Sequence, residues 1–218
     1  PEIIRPAPTS LPAMTLSGGR EDWFPTPVWG FDHPDPGPLN ADLLRLIAAE
    51  QAADPAGLPG RSAVLGWHSA DDLHRRPGFA PLMAFVGAAV GEAVRFLQWD
   101  TREAEPVVSA CWAVVNPPGA SNVVHTHPHS FLSGVYYAAA EADAGALFFL
   151  DPRPAAVMTA PPVTAYTPWT YQQVRYPPTP GRVLLFPAWL QHGVEPNRSA
   201  ADRVCVSFNI GLRPVGTK

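Results

Sequence analysis

From Pro106 onward the chain is a succession of short runs of β-branched and aromatic residues, and helical spacing all but stops. The runs fall at 107–115, 122–127, 131–138, 145–150, 163–166, 171–176, 182–186, 191–195 and 203–212. Segments of this length, rich in Val, Leu, Phe and Tyr and bounded by Pro, Gly and Asn, are strands. Eight or nine of them after a helical lead predict a mainly β chain with N-terminal helices. The expected architecture is a double-stranded β-helix, a jelly-roll, cupin-like barrel.

The lead has its own pattern. After Asn40, a good N-cap, Leu43, Leu44, Leu46, Ile47 and Ala48 keep helical spacing up to Asp54-Pro55. Ser69 with Asp72 fits a capping signal for a short helix through Leu73 and His74. Beyond Pro81, Leu82, Phe85, Val86, Ala89, Val90, Ala93, Val94 and Leu97 form a broad apolar stripe, so a longer helix packs on one face of the sheet. Trp23 to Phe31 alternates aromatic and small residues and suits a first edge strand. The expected division is an N-terminal arm over 1–20 and one domain over 21–218, with a helical lead at about 40–98 and a barrel at about 106–213.

Composition narrows the partners. Hydrophobic residues make up 46% and charged ones 16% of 218 residues, with a net charge of −4 and a pI near 6.0. The basic residues are dispersed, which argues against nucleic acid and against an anionic membrane. Uninterrupted apolar stretches fall short of a span, and residues 1–20 lack a charged n-region and an h-region, so a cytoplasmic protein is expected. Cys111 and Cys205 both lie in strand-like runs and read as buried free thiols. The Pro-rich span 152–180, with Met158, Tyr166, Trp169 and Tyr171, is long for a connection and reads as a lid.

Chemistry concentrates in the histidines. His125 and His127, two apart, can share one face of a strand, and His192 follows the apolar run 182–187. Imidazole suits iron, copper, zinc or nickel, so His125, His127 and His192 predict a metal site without naming the metal. His129 extends the alternation, but Pro128 between it and His127 bends the chain. Upstream, Asn116, Gly119 and Asn122 stand three apart; downstream, Arg203 follows His192 by eleven residues. Tyr136 and Tyr137 must point to opposite faces, so only one enters the barrel.

In this order the chain resembles the iron(II)- and 2-oxoglutarate-dependent oxygenases, and most closely a small bacterial branch of them. The resemblance rests on Phe-Pro-Thr-Pro from Phe24, His-x-His-Pro then Ser-Gly-Val-Tyr-Tyr from His125 to Tyr137, and Asp-Pro-Arg from Asp151. It continues in Phe-Pro then His from Phe186 to His192, and in Arg203 with Ser-Phe-Asn from Ser207. It implies an enzyme that uses Fe(II), 2-oxoglutarate and O2 and hydroxylates an unactivated C–H bond of a small molecule or peptide side chain, releasing succinate and CO2. It further implies that His125 and His192 hold iron and that Arg203 holds the distal carboxylate of the diacid, a task suited to a bidentate guanidinium.

Two positions depart from the wider pattern. His127 stands where a carboxylate is usual, which leaves Asp151 as an alternative third ligand, and Cys205 replaces a hydroxyl that would help hold the diacid. Asn122, Tyr137 or Ser207 could supply that hydrogen bond. Trp112, Trp189, Gln191, Tyr166 and Trp169 are the candidate substrate residues. Two other readings compete: a cupin-type three-histidine dioxygenase using no diacid, and a noncatalytic jelly-roll module holding a structural metal.

Overall fold

The computed structural model describes residues 18–59 and 61–216. Most of the expected arm, residues 1–17, lies outside the described residues, and Gly18 to Arg20 carry no regular structure. Strand β1 (Trp29–Asp32) is followed by helix α1 (Pro36–Ala53), the two short strands β2 (Ala63–Val64) and β3 (Trp67–His68), and helix α2 (Ala80–Leu97). Then come β4 (Ala104–Asn116), β5 (Ser121–His125), β6 (Leu132–Ala139), β7 (Leu147–Leu150) and the short helix α3 (Pro154–Met158). Strands β8 (Gln173–Tyr176), β9 (Arg182–Pro187), β10 (His192–Val194) and β11 (Arg203–Pro214) complete the chain.

The strands form two antiparallel sheets, one in the order β1-β9-β6-β11-β4-β3 and one in the order β2-β5-β10-β7-β8. This is the expected jelly-roll pairing with one difference. Among the described residues no strand pair joins the two sheets, so the sandwich is not a closed barrel and β1 and β8 stand at its edges without a further strand. The strand expected at 163–166 is absent; 159–172 follows α3 as turns and extended chain, in keeping with its prolines. The strand expected to run through His127 stops at His125.

A two-residue period divides the large sheet into two surfaces. Cys111, Ala113, Val115, Tyr136, Val183, Leu185, Val206 and Phe208 face one way and bury against Leu43 and Ile47 of α1 and Leu82, Val86, Ala89, Val90 and Ala93 of α2. The alternate residues Trp112, Val114, Val135, Tyr137, Leu184, Phe186 and Cys205 face the second sheet, against Leu147 and Phe149. Tyr136 and Tyr137 thus divide as alternation requires, and the Tyr136 hydroxyl donates to Asn40 Oδ1 at 2.7 Å. Both cysteines are free and buried, and desolvation pushes the Cys111 thiol up to about 12.

The helical lead differs in its starts. Helix α1 begins at Pro36 rather than after Asn40, because proline's fixed φ suits the first turn, and Asn40 serves the sheet instead of a cap. Ser69 caps nothing: its hydroxyl accepts the Ala113 N–H at 2.9 Å, and in place of a helix two 3-10 turns follow, Leu73–Arg75 and Pro77–Phe79. The helical stretch Pro77–Leu97 has the length and apolar composition to cross a membrane, which its interrupted stripe did not suggest. Here that stripe is buried on the sheet.

Gly134 sits where β6 crosses beneath Phe208, and a Cβ there would collide with the Phe208 ring and stand 2.7 Å from the Leu184 carbonyl oxygen. Gly134→Ala is therefore expected to destabilise the fold by about 1–3 kcal/mol, measured as a lower urea midpoint with an unchanged slope.

Candidate metal centre

His125 ends β5, His127 stands two residues further in the loop, and His192 opens β10. Strand β10 lies between β5 and β7, with His192 opposite both His125 and Phe149. Between the pairs His192/His125 and Val194/Asn122 the register shifts, so Val123 and Val124 oppose Gly193 alone. This β-bulge turns Asn122 and His125, three residues apart, into the same pocket. His127 is fixed by its backbone, whose N–H donates to the Ala188 carbonyl at 2.9 Å.

One nitrogen from each of the three imidazoles lies within 4.8 Å of the others. The Nδ1 atoms of His125 and His192 lie 2.7 Å and 2.8 Å from the carbonyls of Val123 and Leu190. A carbonyl can only accept, so each Nδ1 carries the proton and each Nε2 presents a lone pair. His127 Nε2 stands 3.2 Å from His192 Nε2. Burial, reinforced by the neighbouring imidazoles, lowers His127 to about 3 and His192 to about 4, and burial also lowers His125. All three are neutral at pH 7, as metal ligands must be.

Among the described residues this is the group able to hold a metal, and it contains no carboxylate. Asp151, the alternative third ligand, is bound instead to Arg153 Nη2 at 2.8 Å and lines a separate cleft. His129 has a φ of 66° in an exposed turn and does not join the group.

The same pocket contains the cation expected to face it. Arg203 opens β11 and is 2% exposed, and its Nη1 donates to the carbonyls of Ala144 at 2.5 Å and Gly145 at 3.0 Å. No acid among the described residues pairs with it. Desolvation lowers its pKa, with the Cys205 and Tyr137 groups acting the other way. A buried cation held only by carbonyl dipoles is costly unless an anion completes it. Arg203, Cys205 and Ser207 alternate along β11 and all line the pocket, as do Asn122, Tyr137 and Trp112. Tyr137 is held protonated by burial, which leaves its hydroxyl available as a donor. Asn116 Nδ2 donates to Asn122 Oδ1 at 3.0 Å, and Asn122 Nδ2 to Ser62 Oγ at 3.1 Å, so the Asn116, Gly119 and Asn122 spacing builds one wall. Gly119 supplies the turn with a φ of 86°.

The substrate candidates separate. Trp112 lines the pocket, stacked on His68 at 5.5 Å and tilted to His127 at 5.8 Å. Trp189 and Gln191 lie exposed in the turn that precedes β10, whereas Leu190 between them and His192 after them are buried. Trp169 lines the separate cleft, and Tyr166 stacks on Tyr171 at 5.5 Å beside it. Sequence reasoning missed Ser62, Ser133 and the carbonyls that hold Arg203. Only Gly145 carried a signal, as a glycine: its φ of 84° and the Glu195 and Pro196 carbonyls packed against it exclude a side chain.

Residues 110–209 match the model of a family described as "Putative 2OG-Fe(II) oxygenase". A comparison with curated proteins finds no match. Among solved structures, a Pseudomonas putida prolyl-4-hydroxylase is similar with a TM-score of 0.61 and 15% identity, over 85% of this chain and 92% of that one. SnoK, a non-heme α-ketoglutarate dependent carbocyclase from nogalamycin biosynthesis, gives 0.62 and 13% over 84% and 78%. A Trichoplax adhaerens prolyl hydroxylase, in complex with a hypoxia inducible factor peptide fragment, gives 0.57 and 12% over 84% and 83%. These likenesses bear on the fold, a double-stranded β-helix.

The lowered imidazole pKa values give the metal site a pH signature. Protons compete for His127 and His192 only as the pH nears their folded values of about 3 and 4, not the ordinary 6.5. Co(II) affinity, measured by titration calorimetry, is expected to stay level between pH 8 and pH 6; a steep loss below pH 6.5 would contradict these environments.

Proposed function

We propose that this chain, whose residues 110–209 match the model of a 2-oxoglutarate/Fe(II) oxygenase family, is such an oxygenase and hydroxylates an unactivated C–H bond of a small molecule or a peptide side chain. The observation that carries the reading is one pocket holding both a three-imidazole group and a buried, acid-free guanidinium. A diacid needs both: one end meets a metal, and the other meets a bidentate cation. The residues present fit Fe(II), since three neutral imidazoles suit it and their lone pairs converge.

Bound Fe(II) and 2-oxoglutarate, with O2, supply oxidation of a C–H bond together with release of succinate and carbon dioxide. The chain's own residues bind, orient and exclude water. His125 and His192, each locked by a carbonyl on Nδ1, aim Nε2 inward; His127 provides the third nitrogen. Arg203, steadied by Ala144 and Gly145, holds the distal carboxylate, and the Tyr137 hydroxyl, Ser207 and Asn122 are placed to donate beside it. The buried aromatic wall of Trp112, Phe186 and Phe149 keeps the centre dry. His127 in place of a carboxylate leaves the bound metal with its full positive charge, which favours an anionic cosubstrate. The inward position of Arg203 supports this reading over a diacid-free cupin, and the pocket beside the imidazoles supports it over a closed structural site.

Succinate release from 2-oxoglutarate tests the proposal. It is expected to require Fe(II) and to vanish in His125→Ala and His192→Ala; unaltered release in either variant would overturn it. Arg203→Ala is expected to weaken 2-oxoglutarate binding by about thirtyfold or more, because one partner of a buried charge pair is lost. Co(II) binding should be unchanged in that variant.

A further inference from the structure

A second cavity lies on the open side of the sandwich, between the free edges of the two sheets. It measures about 500 Å³ and is lined by the segment before β1 (Trp23 to Val28), by β8 and by the turn carrying Trp169 and Tyr171. Trp23 and Phe24 are 73% and 92% exposed there, and Trp169 and Tyr171 are also exposed. Arg20 lies over one face of the Trp169 ring at 4.7 Å and Tyr171 stacks on Tyr166, so these two rings are held in place while Trp23 and Phe24 stay open; an exposed aromatic cluster of this kind marks a binding site. Its deep wall is formed in part by Phe149 and Leu190, which also back the metal centre. The Phe149 ring stands 6.0 Å from that of His192, and the Leu190 carbonyl accepts from His192 Nδ1.

The backbone of β8 says what the cleft can hold. Asp151 N–H donates to the Gln172 carbonyl at 2.9 Å, which puts the bonded pairs of the ladder at Gln172/Asp151, Val174/Phe149 and Tyr176/Leu147. Gln173 and Arg175 therefore turn their N–H and C=O groups outward, and Gln173 does so within the cleft. The acid and base in the lining, Asp151 and Arg153, neutralise one another at 2.8 Å. Its amides, Gln172 and Gln173, are exposed, and the nearly buried Asp151 carboxylate is already engaged by Arg153, so little is left to orient a small polar molecule. A free strand edge facing aromatic rings, without net charge, is complementary to an extended chain.

We infer that this cleft seats an extended, uncharged peptide segment of the substrate, paired through its backbone to the outer edge of β8. The inference rests on the oxygenase reading and deepens it: the substrate is a peptide or protein, and the cleft anchors the residues flanking the oxidised one. Trp169 and Tyr171 grip its side chains, and Gln173 supplies one donor and one acceptor.

The test uses the full chain loaded with Co(II), screened against bead-bound, blocked hexapeptides randomised over uncharged residues. Selected peptides are expected to enrich and to quench tryptophan fluorescence on binding. Copies N-methylated along the backbone should bind at least tenfold more weakly. Gln173→Pro, which removes the outward N–H and spares the β7 ladder, should weaken binding by the same factor, as should Trp169→Ala. Gln173→Ala should bind like the unaltered chain, and Co(II) binding should persist in all three. No enrichment, or equal binding of the N-methylated copies, would overturn the inference. So would binding of 8-anilinonaphthalene-1-sulfonate, abolished by Trp169→Ala, without any selected peptide, since it would assign the cleft to a small apolar ligand. None of these readouts needs 2-oxoglutarate or O2. Peptide binding without succinate release would thus remove the oxygenase reading alone, and succinate release without peptide binding would remove this inference alone.

Discussion

The pairing of β11 between β4 and β6 organises the molecule. It is the most extensively paired strand, running from Arg203 to Pro214 with partners on both sides. Its two-residue period sends Val204, Val206 and Phe208 into the helical core, and Arg203, Cys205 and Ser207 into the pocket. Stability and chemistry are therefore interleaved on one strand. The buried apolar residues contribute the free energy that permits a guanidinium at 2% exposure, and that guanidinium in turn calls for an anion.

The opposite sheet answers with the imidazoles. Strand β10 carries His192 between His125 and Phe149, and the bulge in β5 re-aims Asn122 and His125 together. The imidazoles and the cation end up in one pocket although they come from different sheets. The neutral ligand set is a consequence of burial as well as residue type, because desolvation keeps all three rings unprotonated.

What was legible in the sequence is what periodicity and local spacing encode. The alternation from Cys111 to Val115 and from Val204 to Ile210 assigns both faces of the large sheet, and the stripe from Leu82 to Val94 gives α2, whereas the bulge that breaks the period near Ser109 leaves no local sign. The histidines converge as their spacing suggested, yet His127 does so from a loop rather than from the strand. Less legible were features set by long-range contact. Nothing local shows that β1 and β8 leave the sandwich open, or that Ser62 reaches Asn122 across sixty residues. Asp151 looked free to bind metal until Arg153 was seen to hold it. Trp189 and Gln191, expected in the substrate pocket, instead stand exposed in the turn that leads into β10, a placement set by the loop rather than by any local pattern.

The account stands on a single pocket that needs metal and guanidinium to bind one diacid. Calorimetric titration of 2-oxoglutarate under anaerobic conditions, with and without Fe(II), tests this directly. One equivalent should bind to the Fe(II)-loaded protein at least tenfold more tightly than to the metal-free protein. Equal affinity in both states, or no binding to the loaded protein, would contradict it.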